Sequence, residues 1–590
     1  MLSARFRPTE GGLGVRNILR VNTRTGETRV APGSEDERRW GGRALIAHLM
    51  LREVRPTCDA LGRENKLIVA SGWLGDTAVT TAGRCSVGGK SPLTGGVKEA
   101  NVGGEPGKQL ARLGLRALVL EDAPVRLEPR VLWVGKDKCE ILPAPELRSA
   151  EMDAAFDFLR SRFGERVSFF CIGPAGEMRL GAAAIATTDR TGTQVRFAAR
   201  GGLGAVMGSK GIKAIVFDDT GSEPELAHDP DGLTAAARDV WQILRDDPKT
   251  QNRHDFGTPA VLAICDSLGI LPTRNFQTGH FEEFEAISGE RVADLIVGRG
   301  GEGERGLLCV RGCNIQCSNV FPDSQGKTLV ASLQYENIGL LGSNCGIGDV
   351  DEVARINHLC NEVGVDTIEA GAAIGVAMEA GVVPFGDAAG AKDLVRQIGK
   401  GTPLGRVLGS GVVVTGKVLG VRRVPAVKGQ AMPAYDPRSL KGIGVTYATS
   451  PQGADHTAGN ALEMAKALDQ KKPEGQVAIS LRLQVRAALL DSLGVCLFIR
   501  PAFVKNPGLL PRLLNARFGW SLTYEDVRKM GLDCLAMERD FNRLAGVPDE
   551  RCDVPEFMRT EPLPPYDTVF DVPREEMQRI WDVQLPAGVF

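Results

Sequence analysis

Residues 81–107 read TAGRCSVGGKSPLTGGVKEANVGGEPG. Eight glycines stand here among Arg84, Lys90, Lys98 and Asn101. Glycine lets the backbone turn through positive φ or approach another group closely. Successive N–H groups in such turns form anion-binding concavities, and arginine adds two-point phosphate recognition. Short β-type runs flank the stretch, Lys66–Ser71 before it and Ala117–Leu120 after it. This pattern predicts turns that join strands into a sheet. Arg200–Lys210 (RGGLGAVMGSK) has the same character. Neither segment is a Walker A loop, which needs Gly-x4-Gly-Lys-Ser/Thr, and Gly201–Gly204 lacks the full dinucleotide-binding spacing. Each segment alone is explained as well by tight β-turns as by an anion cradle.

The 590 residues carry 71 Lys+Arg against 73 Asp+Glu, a net charge of −2. No field of one sign exists to attract nucleic acid or an anionic membrane, so neither is expected as a partner. Apolar residues, at 43%, exclude disorder on a large scale. The longest apolar stretch, Ala370–Val383, is broken by glycines and Glu379 and is shorter than the ~20 residues that span a bilayer. The N-terminus has no apolar signal core, which places the chain in the cytoplasm. Glycine accounts for 72 residues and cysteine for 13. In a reducing compartment, clustered cysteines read as metal or redox sites rather than disulfides. Together the two counts point to a large cofactor held by backbone, plus a metal.

Further β-type runs lie at Val131–Val134 and Val167–Ile172, all within the first ~215 residues. Helical spacing follows at Leu233–Arg245, Pro259–Leu268, Asp349–Val363 and Asp366–Ala380. It resumes at Asn460–Gln470, Val477–Asp491 and Tyr524–Ala545. The expected class is α+β: a glycine-rich β-sheet domain over residues 1–217, then two mainly helical domains over 218–415 and 416–590. The proline-rich tail Pro555–Pro573 reads as extended over the surface.

Cys309-x3-Cys313-x3-Cys317 is the sharpest local signal. Thiolates suit iron–sulfur clusters or zinc. Three so closely spaced can surround one cluster, with Cys496 available as a distant fourth ligand. Zinc more often takes two pairs, and no second pair follows. Spacing of i, i+4, i+8 also permits three buried thiols along one helical stripe. All three readings stay open at this level.

Many ordered phrases resemble the tungsten-containing aldehyde:ferredoxin oxidoreductases over essentially the full length. They include Ile18–Asn22, Gly83–Val87, Lys90–Gly96, Asn101–Gly104, Ile172–Glu177, Gly201–Lys210 and Leu271–Phe276. Later phrases are Tyr335-Glu336, Gly342–Ile347, Asp366-Thr-Ile, Tyr447–Ser450, Gly453–Thr457 and Asp491–Cys496. The resemblance implies two pyranopterins around one tungsten, or molybdenum in some relatives, beside one [4Fe–4S] cluster. It implies that Arg84, Asn101, Gly103, Arg200 and Gly201 hold the pterin phosphates and a bridging Mg2+. Asp366 and Asp491 match pterin-contacting aspartates, although Asp366 also reads as a helix N-cap before Thr-Ile-Glu369. Val495 lies within one turn of Asp491, so one segment would touch pterin and cluster together.

The resemblance makes Cys309, Cys313, Cys317 and Cys496 the cluster ligands. The first gap is three residues where the family often has two, which shifts Cys309 by about one helical step of ~1.5 Å. Glu336 and His456 match the family's acid/base residues, groups suited to moving protons while water adds to an aldehyde. Cys345 is a candidate tungsten ligand, as in the benzoyl-CoA-reductase-like branch, or a small buried residue. The other eight cysteines, Cys552 among them, read as thiols without chemistry. Expected partners are an aldehyde, ferredoxin or an Fe–S subunit, and further copies or subunits in an oligomer. Low-potential reduction of an aromatic acyl-CoA thioester is the alternative reaction.

Overall fold

The computed structural model describes residues 17–189, 195–547 and 553–585, together with 4, 5 and 192. Cys552 lies outside the described residues. A six-stranded sheet runs in the order Thr28–Pro32, Asn17–Asn22, Leu115–Glu121, Leu67–Ser71, Cys85–Lys90, Val97–Val102. Its neighbours are antiparallel except Asn17–Asn22 and Leu115–Glu121. We name Leu67–Ser71 β1, Cys85–Lys90 β2 and Val97–Val102 β3. A second sheet has seven strands: Ala4–Arg5, Lys138–Pro143, Arg130–Gly135, Ala214–Asp218, Ser168–Cys171, Ile185–Thr188 and Val195–Ala198, in that order.

Side chains alternate between the two faces of a strand. Leu67 and Val69 of β1 therefore join Leu132, Phe170, Ile215 and Phe217 in a core between the sheets. Ile68 and Ala70 point the other way, into a second core with Ala44, Leu45 and helices from the C-terminal third. Both faces of β1 are covered, which is why its sequence, LIVAS, is a continuous apolar run.

Beyond Asp218 helices dominate. Four matter for the site: Tyr335–Leu341, Val350–Val363, Thr367–Glu379 and Gln476–Leu493. With Gly42–Glu53 as α1 and Met152–Phe163 as α2, these are α3 to α6, and Tyr524–Leu544 is α7. The predicted helices agree with these bounds to within a few residues. Pro259–Leu268 is divided into a 3-10 turn, Thr258–Val261, and a short helix, Leu262–Ser267.

Two expectations are corrected. Residues 460–470 form only a 3-10 turn at Ala461–Met464. Asn460 caps it, and the Gln470 carbonyl is taken by Lys441 N–H at 3.0 Å, so the helical ladder is not continued. The proline-rich tail is anchored as well: Glu556–Thr560 is helical, and Met558, Leu563, Phe570 and Val572 are fully buried. Its apolar side chains draw it into the core. No single described helix is long and apolar enough to cross a membrane.

Candidate active site and cofactor cradle

A cavity of ≈ 340 Å³ opens where β3, the strand Val195–Ala198, α3, α4 and the turn at His456 converge. Seven residues expected at the site lie on its wall: Arg84, Asn101, Gly103, Arg200, Glu336, Asp366 and His456. Cys309 lines it too.

The glycines earn their places through close approach. A Cβ on Gly103 would lie 3.3 Å from the Arg84 Nη1, the Cys309 carbonyl and the Cys309 Sγ. The Arg84 Nε donates to Asn101 Oδ1 and its Nη2 to the Asn101 carbonyl at 3.0 Å, which fixes the guanidinium at the cavity wall. Gly201 has φ 79°, and a Cβ there would fall 2.3 Å from Lys98 Cγ. Gly201 does not line the cavity. Its turn delivers Arg200, whose Nη1 and Nη2 donate to the carbonyls of Ala454 and Ala431 at 2.5 and 2.6 Å. Arg200 Nε meets Asp366 Oδ2 at 3.3 Å, with both side chains buried. Two fixed guanidiniums with an amide between them suit an anionic, phosphate-bearing group.

Asp366 also caps α5, its Oδ1 accepting from Ile368 N–H at 3.1 Å. The expected capping box is absent, because the Glu369 carboxylate instead accepts Val412 N–H and Ala431 N–H, each at 2.9 Å. Helix α3 holds Glu336 from the opposite side. Tyr335 anchors that helix by donating its hydroxyl to the Ala434 carbonyl at 2.5 Å. Glu336 Oε2 accepts from Ala434 N–H at 2.9 Å, whereas Oε1 is buried with no hydrogen-bond partner. His456 Nδ1, also buried and without a hydrogen bond, is 3.5 Å from that oxygen. Burial raises the Glu336 pKa above the usual carboxylate range, while the neighbouring His456 pulls the other way. Two orphaned, facing polar atoms on a cavity wall are groups placed to exchange protons with something that enters.

The cysteine segment is not a helix. Residues 309–317 form turns between Glu304–Leu307 and Ser318–Pro322, with positive φ at Gly312 and Gln316 (87° and 52°). That removes the helical-stripe reading. Cys496 reaches the same place from the end of α6, its N–H donating to Thr81 Oγ1 at 3.2 Å. The four thiols are close enough to act on one another. Burial, then Cys309 and Cys496, push Cys313 up to about 12. Burial and the other three raise Cys317. No three of these sulfurs lie within 4.8 Å of one another; among the described residues one His/Cys/Asp/Glu triplet meets that limit, elsewhere in the fold. Tetrahedral zinc with 2.3 Å bonds needs sulfurs about 3.8 Å apart.

Besides Gly201 and the thiols of Cys313, Cys317 and Cys496, three expected residues stand off this cavity. Asp491 pairs with Arg43 at 3.3 Å at the end of α6. Val495 is buried in the core behind the cysteines. Cys345 lies in the 3-10 turn Ser343–Cys345 with its Sγ toward the carbonyls of Leu340 and Gly371, at 3.3 and 3.7 Å. Burial alone pushes that thiol up to about 12. Its small size fits the packing between α3 and α5, and it does not reach the cavity.

The sequence reading missed several residues. Lys98 and Asp455 form a buried pair; burial would push Asp455 up, but Lys98 and Arg200 hold it well below the usual range. Glu99 lines the cavity with its Oε1 unbonded, and burial, with Asp491 second, pushes it up to about 8. Its backbone N–H donates to Gln452, which donates to Glu538, the partner of buried Arg43. The charged pair Lys98-Glu99 between Val97 and Val102 was the available signal for Glu99. Nothing local signals Arg43 and Glu538.

Models of the aldehyde ferredoxin oxidoreductase family match residues 18–219 (N-terminal domain) and 235–581 (domains 2 and 3). The tungsten-containing aldehyde ferredoxin oxidoreductase of Pyrococcus furiosus is 33% identical over 575 residues, covering 93% of this chain and 92% of its own. That of Thermococcus kodakarensis gives the same figures. The WOR-like subunit of an aliphatic sulfonate oxidoreductase from P. furiosus is 25% identical, covering 86% of this chain and 82% of its own. Among solved structures, the active site complex BamBC of benzoyl coenzyme A reductase with 1,5-dienoyl-CoA superposes with a TM-score of 0.79 at 18% identity, covering 96% of this chain and 93% of that one. That likeness speaks to the fold. From the family models and the relatives a third identical over nearly the whole chain, this protein belongs to the aldehyde ferredoxin oxidoreductase family and is an oxidoreductase.

Proposed function

We propose that this chain oxidises an aldehyde to the carboxylic acid, RCHO + H2O → RCOOH + 2H+ + 2e−. The reaction centre is a tungsten (or molybdenum) ion held by two pyranopterins. Arg84, Asn101, Gly103 and Arg200, with Gly201 shaping the turn that delivers Arg200, would hold the pterin phosphates and a Mg2+ ion, and Asp366 and, from outside the cavity wall, Asp491 would serve the pterin rings. The fixed guanidiniums of Arg84 and Arg200 and the open approach at Gly103 fit such a group. When bound, the metal centre supplies the two-electron acceptor.

The protein's own residues manage the protons. Glu336 Oε1 takes a proton from the water that adds to the carbonyl carbon, and burial, by raising its pKa, makes it a stronger base than an ordinary carboxylate. His456, 3.5 Å away, steadies the carboxylate and passes the proton outward.

Cys309, Cys313, Cys317 and Cys496 would hold a [4Fe–4S] cluster, which would supply one-electron exit toward ferredoxin or a partner Fe–S subunit, in a homo- or hetero-oligomer. Gly103 supports this route, since the cavity wall and Cys309 Sγ adjoin there without an intervening side chain. The three-part division at 217 and 415 belongs to the same proposal: sheet turns bind phosphate, the second part carries three cysteines and Glu336, and the third brings His456 and Cys496. The observation that carries the reading is the Glu336–His456 pair, orphaned and facing the same cavity as the two guanidiniums.

Purified protein with near-stoichiometric tungsten or molybdenum and about four Fe per chain, as a cubane needs, should reduce a viologen with short or aromatic aldehydes. Turnover absent from metal-replete protein would overturn aldehyde oxidation and direct assays to aromatic acyl-CoA thioesters.

A further inference from the structure

Helix α4 presents two faces of different character. Asn357 and Asn361, four residues apart, line the cavity. His358 and Glu362, also four apart, lie one step round the helix and meet α2, where Asp153 sits in the first turn. One donor atom from each of Asp153, His358 and Glu362 lies within 4.8 Å of the other two. Glu362 is only 8% exposed. Its Oε2 accepts the backbone N–H of Asp153 at 3.3 Å, but its Oε1 is buried with no hydrogen-bond partner. Asp153, which also shares a side-chain hydrogen bond with Glu362, and Glu151 both act on it with charge of its own sign. A buried carboxylate with a second carboxylate beside it is an unfavourable arrangement unless a proton or something positive binds.

We propose that Asp153, His358 and Glu362 form a second metal site, separate from the cavity, for one divalent first-row transition ion such as Zn2+, Mn2+ or Co2+. Two carboxylate oxygens and an imidazole nitrogen suit these ions, whereas Ca2+ takes oxygen alone. Bonds of about 2.0–2.2 Å set donors about 3–4 Å apart, and the three donor atoms already lie within 4.8 Å of one another. Exposed Asp153 leaves the remaining positions to water. The ion would tie α2 to the end of α4. Four residues after Glu362, Asp366 meets Arg200 at 3.3 Å. The site therefore braces the acidic wall of the cavity from behind, and its residues are positioning rather than catalytic.

The test uses holoenzyme dialysed against EDTA, then titrated with Zn2+ by calorimetry and with Co2+ by visible absorption. One equivalent should bind per chain and raise Tm. Cobalt should give weak d–d bands, whereas intense sulfur-to-cobalt charge transfer would locate the ion at the cysteine turns and overturn the assignment. Loss of an outer partner typically costs 10–100-fold in affinity, so His358→Ala and Asp153→Asn should each weaken binding by more than about 100-fold. Asp153 is exposed, so Asp153→Asn keeps the test valid if His358→Ala fails to fold. Unchanged affinity in Asp153→Asn, or no binding by the wild type, would also refute it.

Discussion

Glu336 and His456 are 120 positions apart, yet one orphaned oxygen and one orphaned nitrogen end 3.5 Å from each other. A buried acceptor without a partner costs stability, so both orphans mark the site as built for a reaction rather than for folding. Glu336→Gln keeps the shape and removes the base. Aldehyde turnover should fall about 10²–10⁴-fold, the usual worth of a positioned base, with tungsten and iron contents unchanged; loss of metal in the variant would make Glu336 structural instead. Cys496 tests the other pole. Cys496→Ser should leave soluble protein that has lost most of its iron, and a full EPR signal of a reduced cubane would remove Cys496 from the ligand set.

Helix ends decide where these residues stand. The end of α6 crosses the turn after β1 glycine on glycine: a Cβ on Gly72 would fall 2.2 Å from Gly494 N and 2.3 Å from its Cα. Gly494 in turn receives the N–H groups of Gly83 and Arg84, each at 3.1 Å. Backbone cannot swing aside as a side chain can. Gly72→Ala should therefore lower stability by at least the ~1–3 kcal/mol of an overpacked core and reduce bound iron, read by thermal unfolding and iron assay. Helix α5 offers a pH test. Burial pushes Glu369 up to about 7, above its ordinary 4.5. The folded chain then holds a proton that the unfolded chain has released between these values. Glu369's contribution is complete below about 4.5 and is lost as pH rises through 7, with a limiting slope of about 1.4 kcal/mol per pH unit. Glu369→Gln mimics the protonated acid, so its stability should change less over that window than the wild type's, in parallel melts across pH.

Across the whole molecule, one continuous apolar core takes residues from Ile18 to Ile580. Buried Arg43 of α1 donates to Glu538 of α7 at 2.8 Å through both Nε and Nη2, across 495 positions. A fragment of residues 1–217 would expose the α1 face and leave that guanidinium unpaired in an apolar setting. Expressed alone it should aggregate or bind ANS strongly, whereas a cooperatively unfolding fragment would show that the sheet region is autonomous. The sheets, the long helices and the phosphate-suited turns were legible in the sequence because period-2 and period-3.6 patterns and glycine clusters are local signals. Asp366 was legible twice over, since capping and pairing with Arg200 use different oxygens. Local pattern left residues 309–317 open, since i, i+4, i+8 spacing permits a helix, and positive φ at Gly312 and Gln316 makes turns there instead. It could not rank Cys345, whose distance from the cavity depends on how α3 packs on α5. By itself the sequence determined the strands, the helices, the glycine turns and the cysteine supply. The tertiary structure alone decided which thiols and carboxylates meet, because contacts between residues hundreds of positions apart are set by packing and leave no periodic trace in the chain.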